Sequence, residues 1–261
     1  MPQDRKLIAD GSGLRVERVR SHATAPQWSP VYRAPSRRLV LPGSGAARLR
    51  CAGSDLLIDT LTAFRVGQDL AYQLRPELPD ERDSVVVSEA PGAGVAQELA
   101  QAWLLPPAAL YRLRLHWLAL QAGGAQAQAT AQVLGQALHS AVALASGVQQ
   151  ARPVLRARSF LLSQAGGRAT LQEVADAACS SPFHLARSFR RALGLGLHQY
   201  RQRLRLATAL AWLEEGERDL ADLAHELGFC SQSHFGEVFR RELGLSPARA
   251  RVALARATAG I

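Results

Sequence analysis

The side chains able to do covalent or metal chemistry are few and dispersed in this chain. Its three cysteines, Cys51, Cys179 and Cys230, are an odd and widely separated set that fits neither a disulfide framework nor a zinc site. The seven histidines show no HxH or HExxH spacing. No G-x-S-x-G, P-loop or GxGxxG motif stands in a credible setting. What remains is the chemistry of arginine. Lys6 is the one lysine among 31 basic residues, against 22 acids, for a net charge of +9. Between residues 152 and 256 sixteen arginines meet ten acids, while the rest of the chain has fifteen basic and twelve acidic residues. The excess is thus concentrated in the C-terminal two-fifths, where guanidinium groups attract phosphate whatever the sequence attached to it. An arginine-rich composition alone would give the same count, so the charge needs a motif beside it.

That motif is a helical repeat. Asp219–Arg251 reads as a helix, a tight turn, a second helix, a glycine stop and a proline-started third helix, and a weaker copy precedes it. Leu171, Val174 and Ala175 recur as Leu220, Leu223 and Ala224 at an offset of 49. Phe189, Arg190, Arg191, Leu193, Gly194 and Leu195 recur as Phe239, Arg240, Arg241, Leu243, Gly244 and Leu245 at an offset of 50, so the second turn holds one extra residue. Thr170-Leu-Gln-Glu173 has the pattern of a capping box, and Asp219 is a good N-cap in the matching place. Ala175 and Ala224 are small enough for a second helix to cross closely, and Gly228 tolerates positive φ in the turn. Pro182 suits the first turn of the next helix. The helix joining the copies, Leu197 to Glu215, has about 18 residues and spans roughly 27 Å. With packing at both ends it could set two second helices about 34 Å apart, one turn of B-DNA. In a helix-turn-helix the outward half of the second helix enters the major groove, which makes DNA the first partner to consider.

Residues 1–91 read as short strands, with candidates at Leu14–Val19, Arg38–Leu41, Ala47–Cys51, Leu56–Leu61, Ala71–Leu74 and Val85–Val87, separated by Gly, Pro, Ser and Asp clusters. This spacing predicts a sandwich or small barrel. Pro106-Pro107 opens an apolar helix that ends at Gly123-Gly124. A second helix is expected over Ala125–Ala145, with Ala127, Ala131, Leu134, Leu138, Ala141 and Ala145 forming a heptad seam, for packing on the strand domain or for a dimer. The polar stretch 146–153 is the expected domain boundary, followed by a short helix at Val154–Gln164. No run of eighteen apolar residues is present, and the N-terminus MPQDRKLIAD has no apolar h-region, so a reduced, cytoplasmic protein without membrane contact is expected. Cys179 and Cys230, near the two turns, are expected as small buried apolar residues rather than a redox switch.

The segment GFCSQSHFGEVFRRELGLSPARAR resembles the C-terminal signature of AraC/XylS-type transcription regulators, through Gly228, Phe229, Gln232, Ser233, Phe235, Phe239, Arg240, Gly244, Ser246, Pro247 and Arg251. The upstream half, LQEVADAACSSPFHLARSFRRALGLGLHQYRQRLRLATALAWL, resembles the family as well, so the likeness covers about 100 residues, from Val154 to Leu254. Ala250 stands where an aromatic is usual, and Cys179 where a Gly or similar small residue is usual. RRLVLPGSGAARLRCAGSDLLIDTLTAFRV resembles the first strands of the cupin-like barrel that many members carry. No histidine lies between Leu39 and Ala90, so the metal site of enzymatic cupins is missing.

The resemblance implies an α+β chain: a cupin-like β-barrel with helices over 1–146 for sensing or dimerisation, and an all-α domain with two helix-turn-helix units over 152–254. It implies base contacts from Phe183, Ala186 and Arg187 in the first unit and from Gln232, Ser233, His234 and Glu237 in the second. Of these, Arg187 could pair bidentately with guanine and Gln232 could address adenine. Arg190, Arg240 and Arg241 are expected at phosphates or beside nearby acids, and Arg205 in a structural ion pair. The implied partners are double-stranded DNA, then RNA polymerase, a small-molecule effector and a second copy of the chain. No cofactor, metal or enzymatic activity is expected. The methyl-accepting DNA repair regulators that share this helical half need a reactive cysteine in a zinc-type cluster, and Cys51 has no second Cys or His nearby. A constitutive regulator whose N-terminal part only dimerises is the alternative to an effector-controlled one.

Overall fold

The computed structural model describes residues 3–11, 13–77, 81–90, 101–123, 128–144, 151–164, 169–216 and 219–260. The fold is α+β, with strands in the N-terminal half and helices in the C-terminal half. The strands are β1 (Gln3–Gly11), β2 (Leu14–His22), β3 (Tyr32–Arg33), β4 (Arg38–Pro42), β5 (Ala47–Cys51), β6 (Ser54–Ile58), β7 (Thr62–Val66), β8 (Ala71–Pro76), β9 (Glu81–Glu89), β10 (Gln101–Leu104) and β11 (Val142–Leu144). They form two antiparallel sheets, one ordered β1-β2-β9-β4-β7-β10-β11 and one ordered β3-β8-β5-β6. No ladder joins the two among the described residues, so the expected barrel is an open pair of sheets.

Period-two alternation gives the large sheet two working faces. In the register of β2, β9, β4 and β7, Val19, Ser21, Arg82, Ser84, Val86, Val40 and Phe64 share the face that meets Tyr72 and Leu74 of the small sheet. The opposite face presents Arg18, Leu41, Asp83 and Val85 to α1 (Pro107–Gln121), which meets it with Leu110, Leu113, Arg114 and Trp117. The N-terminal half is therefore layered, small sheet on large sheet on helix.

Two readings are corrected here. The strand expected over Leu56–Leu61 ends at Ile58, and the chain turns at Asp59 before β7 begins. The Asp59 carboxylate accepts from the Leu61 backbone N–H at 2.9 Å and from the Thr62 hydroxyl at 2.8 Å, a local bond set that competes with strand pairing. The second helix, α2 (Ala129–His139), is shorter than Ala125–Ala145: Val142–Leu144 leaves it to pair with β10. Its buried residues are Thr130, Leu134 and Ala137, and it packs on α1, where His116 and Thr130 hydrogen-bond at 3.0 Å. Of the expected heptad seam, Leu134 is buried and Leu138 and Ala141 pack against the core, while Ala131 is exposed; Ala127 and Ala145 lie outside the described residues.

The helical half comprises α3 (Arg152–Ser163), α4 (Leu171–Ala177), α5 (Pro182–Leu193), α6 (Leu197–Glu215), α7 (Leu220–Glu226), α8 (Gln232–Leu243) and α9 (Pro247–Ala259). It docks on α1 through α6, α8 and α9. At the junction, three residues distant in sequence meet with no exposed surface: Asp59, Arg158 of α3 and Tyr200 of α6. Arg158 Nη2 donates to Asp59 Oδ2 at 2.5 Å and to Thr62 Oγ1 at 3.1 Å; Arg158 Nε donates to the Tyr200 hydroxyl at 3.1 Å, and that hydroxyl donates to Asp59. Burial alone would raise the Asp59 carboxyl's pKa, but the Arg158 charge and the converging donors hold it below its ordinary value. A second tie runs from Arg114 of α1, which donates to Glu214 at 2.5 Å and to the Gly43 carbonyl at 3.0 Å.

Candidate nucleic-acid interface

The two helix-turn-helix units are built by the same local devices. In the first, Thr170 accepts from the Glu173 N–H at 3.2 Å while Glu173 accepts from the Thr170 N–H at 2.6 Å, the reciprocal cap expected from the sequence. Beyond α4 the chain turns at Cys179, whose φ is +51°; its N–H donates to the Asp176 carbonyl and that of Ser180 to the Ala175 carbonyl. In the second unit Asp219 caps α7 by accepting from Ala221 N–H at 2.6 Å. Gly228, with φ +74°, donates to His225, and Phe229 donates to Ala224. Cys179 and Gly228 thus hold the same corner, and the added residue of the second turn is Cys230, inserted between Phe229 and Ser231.

The second helices begin alike. Ser181 accepts from His184 N–H at 3.3 Å and Ser231 from His234 N–H at 3.1 Å. Both end on a left-handed glycine, Gly194 at φ +71° and Gly244 at φ +84°. One face of each is pinned: Leu185, Phe189 and Leu193 in α5, and Phe235, Val238, Phe239 and Leu243 in α8. Ala175 and Ala224, at 0% and 1% exposure, are the small residues against which these helices cross.

The side chains implied to read bases all lie on the solvent side. Phe183, Ala186 and Arg187 are exposed on the first two turns of α5, with Phe183 at 73% exposure. The Arg187 guanidinium stands over the Phe183 ring at 5.7 Å, so the pair presents one aromatic and cationic surface. Gln232, Ser233, His234 and Glu237 are exposed on α8, and the His234 ring meets Phe229 edge-on at 5.6 Å. Arg190, Arg240 and Arg241 are exposed near the C-terminal ends of the two helices. Arg241 is also 3.5 Å from Glu242. Each helix therefore brings its own set together.

Other expectations change. Cys179 and Cys230 are exposed, not buried, because each sits on the outer side of its turn. Ala250, in the place of an aromatic, is fully buried in α9. The Arg205 guanidinium also lies over the Phe229 ring at 5.6 Å, a contact at the second turn that does not displace the ion pair expected for it. Sequence reasoning missed Asp59, Arg158 and Tyr200. A signal existed for Arg158: it falls on the buried face of α3 with Val154, Leu155, Ala157 and Leu161, where a lone charge needs a partner.

Comparison with known proteins agrees with this geometry. A family model described as a helix-turn-helix domain matches residues 174–253. The chain is 35% identical over 94 residues to an AraC-like transcription regulator of Streptomyces antibioticus, covering 36% of this chain and 31% of that protein. It is 32% identical over 82 residues to the bifunctional transcriptional activator/DNA repair enzyme AdaA of Bacillus subtilis, covering 31% and 39%. The chain thus spans about a third of the length of these relatives. Among solved structures, the DNA-binding domain of AdpA in complex with a target DNA is 28% identical and covers 41% of this chain and 96% of that one, with a TM-score of 0.38. The helical half is a tandem helix-turn-helix domain. Through it the chain is similar, over about a third of its length, to AraC-like transcription regulators.

Proposed function

We propose that this chain is a sequence-specific DNA-binding regulator of transcription, with residues 152–254 as the DNA-binding domain and residues 1–146 as a unit that responds to a small molecule. The observation that carries the reading is the division of α5 and α8: in each, one face is locked into the core while polar, aromatic and cationic side chains of the N-terminal half stand in solvent. A helix N-terminus so placed fits the major groove. In this reading Arg187, with Phe183 and Ala186, reads one groove segment, and Gln232, Ser233, His234 and Glu237 read the next. Arg190, Arg240 and Arg241 supply phosphate contacts that hold the register without reading sequence. The 19-residue α6 between the units is about 28 Å long, compatible with two segments one helical turn apart. The test is selection of duplexes from a random pool by the full chain. A two-part motif with centres about 10 base pairs apart is expected; recovery of unenriched sequence would refute the proposal.

A further inference from the structure

The face between the two sheets holds a charge that the fold itself does not use. Arg82 of β9 is 7% exposed and points inward beside Ser21 and Ser84. Its Nε has no hydrogen-bond partner, and no ion pair of its guanidinium is formed among the described residues. Burial lowers its pKa to about 10, with the Tyr72 hydroxyl acting weakly in the other direction.

The neighbouring acids are committed elsewhere. Asp83 points to the opposite face and is held by Arg18 at 2.5 and 2.8 Å. Glu81 extends outward, 3.9 Å from Arg20. Glu17, farther along the same face, lies 3.5 Å from both Arg5 and Arg15.

Arg82 borders a cavity of about 50 Å³ between the sheets. Its polar lining includes Gln3, Arg5, Ser21, Ser84 and Tyr72, and its apolar lining includes Val40 and Phe64. Ser84 already donates to the Val19 carbonyl at 3.3 Å, and Tyr72 stacks on Tyr32 at 5.6 Å. A space of this size takes a few waters, or one carboxylate with a short apolar tail.

A buried guanidinium without a counter-charge is costly in the empty protein and becomes favourable when an anion enters. Its planar fork matches the two oxygens of a carboxylate. Arg5 also borders the cavity but is engaged by Gln3 and Glu17, so the unmatched charge of Arg82 fits one negative charge and a small apolar body. We propose that the space between the sheets is a binding site for a small monocarboxylate, held through Arg82. The inference rests on the reading of residues 1–146 as the responsive unit and names the class of ligand it takes.

The test is calorimetric titration of the full chain with acetate, propionate, butyrate and benzoate, and with the corresponding neutral amides. At least one acid is expected to bind with a dissociation constant below about 1 mM, and its amide at least tenfold more weakly. Arg82→Met is expected to weaken that acid by roughly tenfold to a hundredfold. The ligand-free variant is expected to melt no lower than the parent, since a partnerless buried charge has been removed. Should it melt early, Arg82→Lys carries the test: it keeps the charge, lacks the fork, and is expected to lose roughly tenfold. Absence of binding by all four acids, equal binding of the amides, or unchanged affinity in the folded variant overturns the proposal. DNA selection by the same preparation separates the two readings. Sequence preference without acid binding leaves the regulator standing and removes the site; acid binding without sequence preference does the reverse.

Discussion

The two helix-turn-helix units share their caps, their corner geometry and their glycine stops, yet they are anchored by different physics. The first unit leans on charge. Tyr200, just beyond α5, packs edge-on against Phe189 at 5.3 Å and passes its hydroxyl into the Arg158–Asp59 pair. The second leans on aromatic packing, with Phe229 against Phe235 at 5.1 Å and Phe235 against Phe239 at 5.5 Å. A buried ion pair demands both partners and correct geometry, whereas an aromatic cluster degrades by degrees. The second helix of one unit is therefore set by a side chain from the β half, and that of the other by its own unit and α1.

The sharpest way to break this contrast is at Asp59. Asp59→Ala strands the Arg158 charge in the core, and urea denaturation is expected to show a loss of about 3–5 kcal/mol. The pH dependence follows from the sign of the shift. Because the folded carboxyl's pKa lies below its unfolded value, its contribution is fully present above an unfolded pKa of about 3.9 and fades as pH falls through the folded one. Acid melting of Asp59→Asn should lack that part of the decline, and an acid limb identical to the parent's would contradict the assignment.

Next in size is an effect on binding. Arg187→Ala is expected to relax preference at one base position by about 1–3 kcal/mol, while Arg240→Ala should weaken all duplexes alike and reduce the salt slope by about 1. Competition assays over a panel of single-base variants distinguish the two; a uniform loss from Arg187→Ala would make it a phosphate contact.

A smaller effect is expected in the second unit. Phe235→Leu should cost only about 1–1.5 kcal/mol in thermal melting, since an aliphatic of similar volume keeps most of the packing. A loss as large as that of Asp59→Ala would erase the contrast.

The smallest concerns the shared corner. Cys179 occupies, at φ +51°, the place that Gly228 occupies at φ +74°. A left-handed non-glycine costs about 1–2 kcal/mol, offset in part by the greater chain entropy that glycine loses on folding. Cys179→Gly is thus expected to raise stability by up to about 1 kcal/mol, and Gly228→Ala to lower it by about 1 kcal/mol. Equal and opposite melting shifts would show that the corners are equivalent; no gain from Cys179→Gly would show that the first is relaxed by other means.

The helical half was legible in the sequence because its determinants are local. Thr170 and Glu173, Ser181 and Ser231, and Gly194 and Gly244 each act within a few residues of themselves. Leu197–Glu215 was read with its observed limits for the same reason. The β half was legible only where apolar alternation was plain, as in Ala47–Cys51. β1 and the start of β9 are rich in charge and polar groups, and become strands by pairing with β2, a partner remote from β9 in sequence. β7 lies beyond the expected strand Leu56–Leu61, which Asp59 in fact ends, and was not anticipated. The exposure of Cys179 and Cys230 depends on which side of a turn faces the core, which spacing does not encode. Arg82 lies just before the candidate strand Val85–Val87, and its burial comes from the small sheet that covers it. The side chains that face solvent on α5 and α8 were found through the family signature, while the charge network beneath them was not.

That network also limits how far the helical half can be moved about as a module. Tyr200 lies inside the stretch 174–253 that matches the helix-turn-helix family, but the carboxylate its hydroxyl addresses lies outside it, in β-half residue Asp59. A chimera joining residues 152–261 to another sensor would carry Arg158 and Tyr200 into a junction shaped to bury them and would leave their counter-charge behind. For exchange of parts, the natural cut is therefore not the boundary expected at 146–153. The transplantable piece is the helical half together with an acceptor corner like that between β6 and β7, whose single aspartate lies far from the seam.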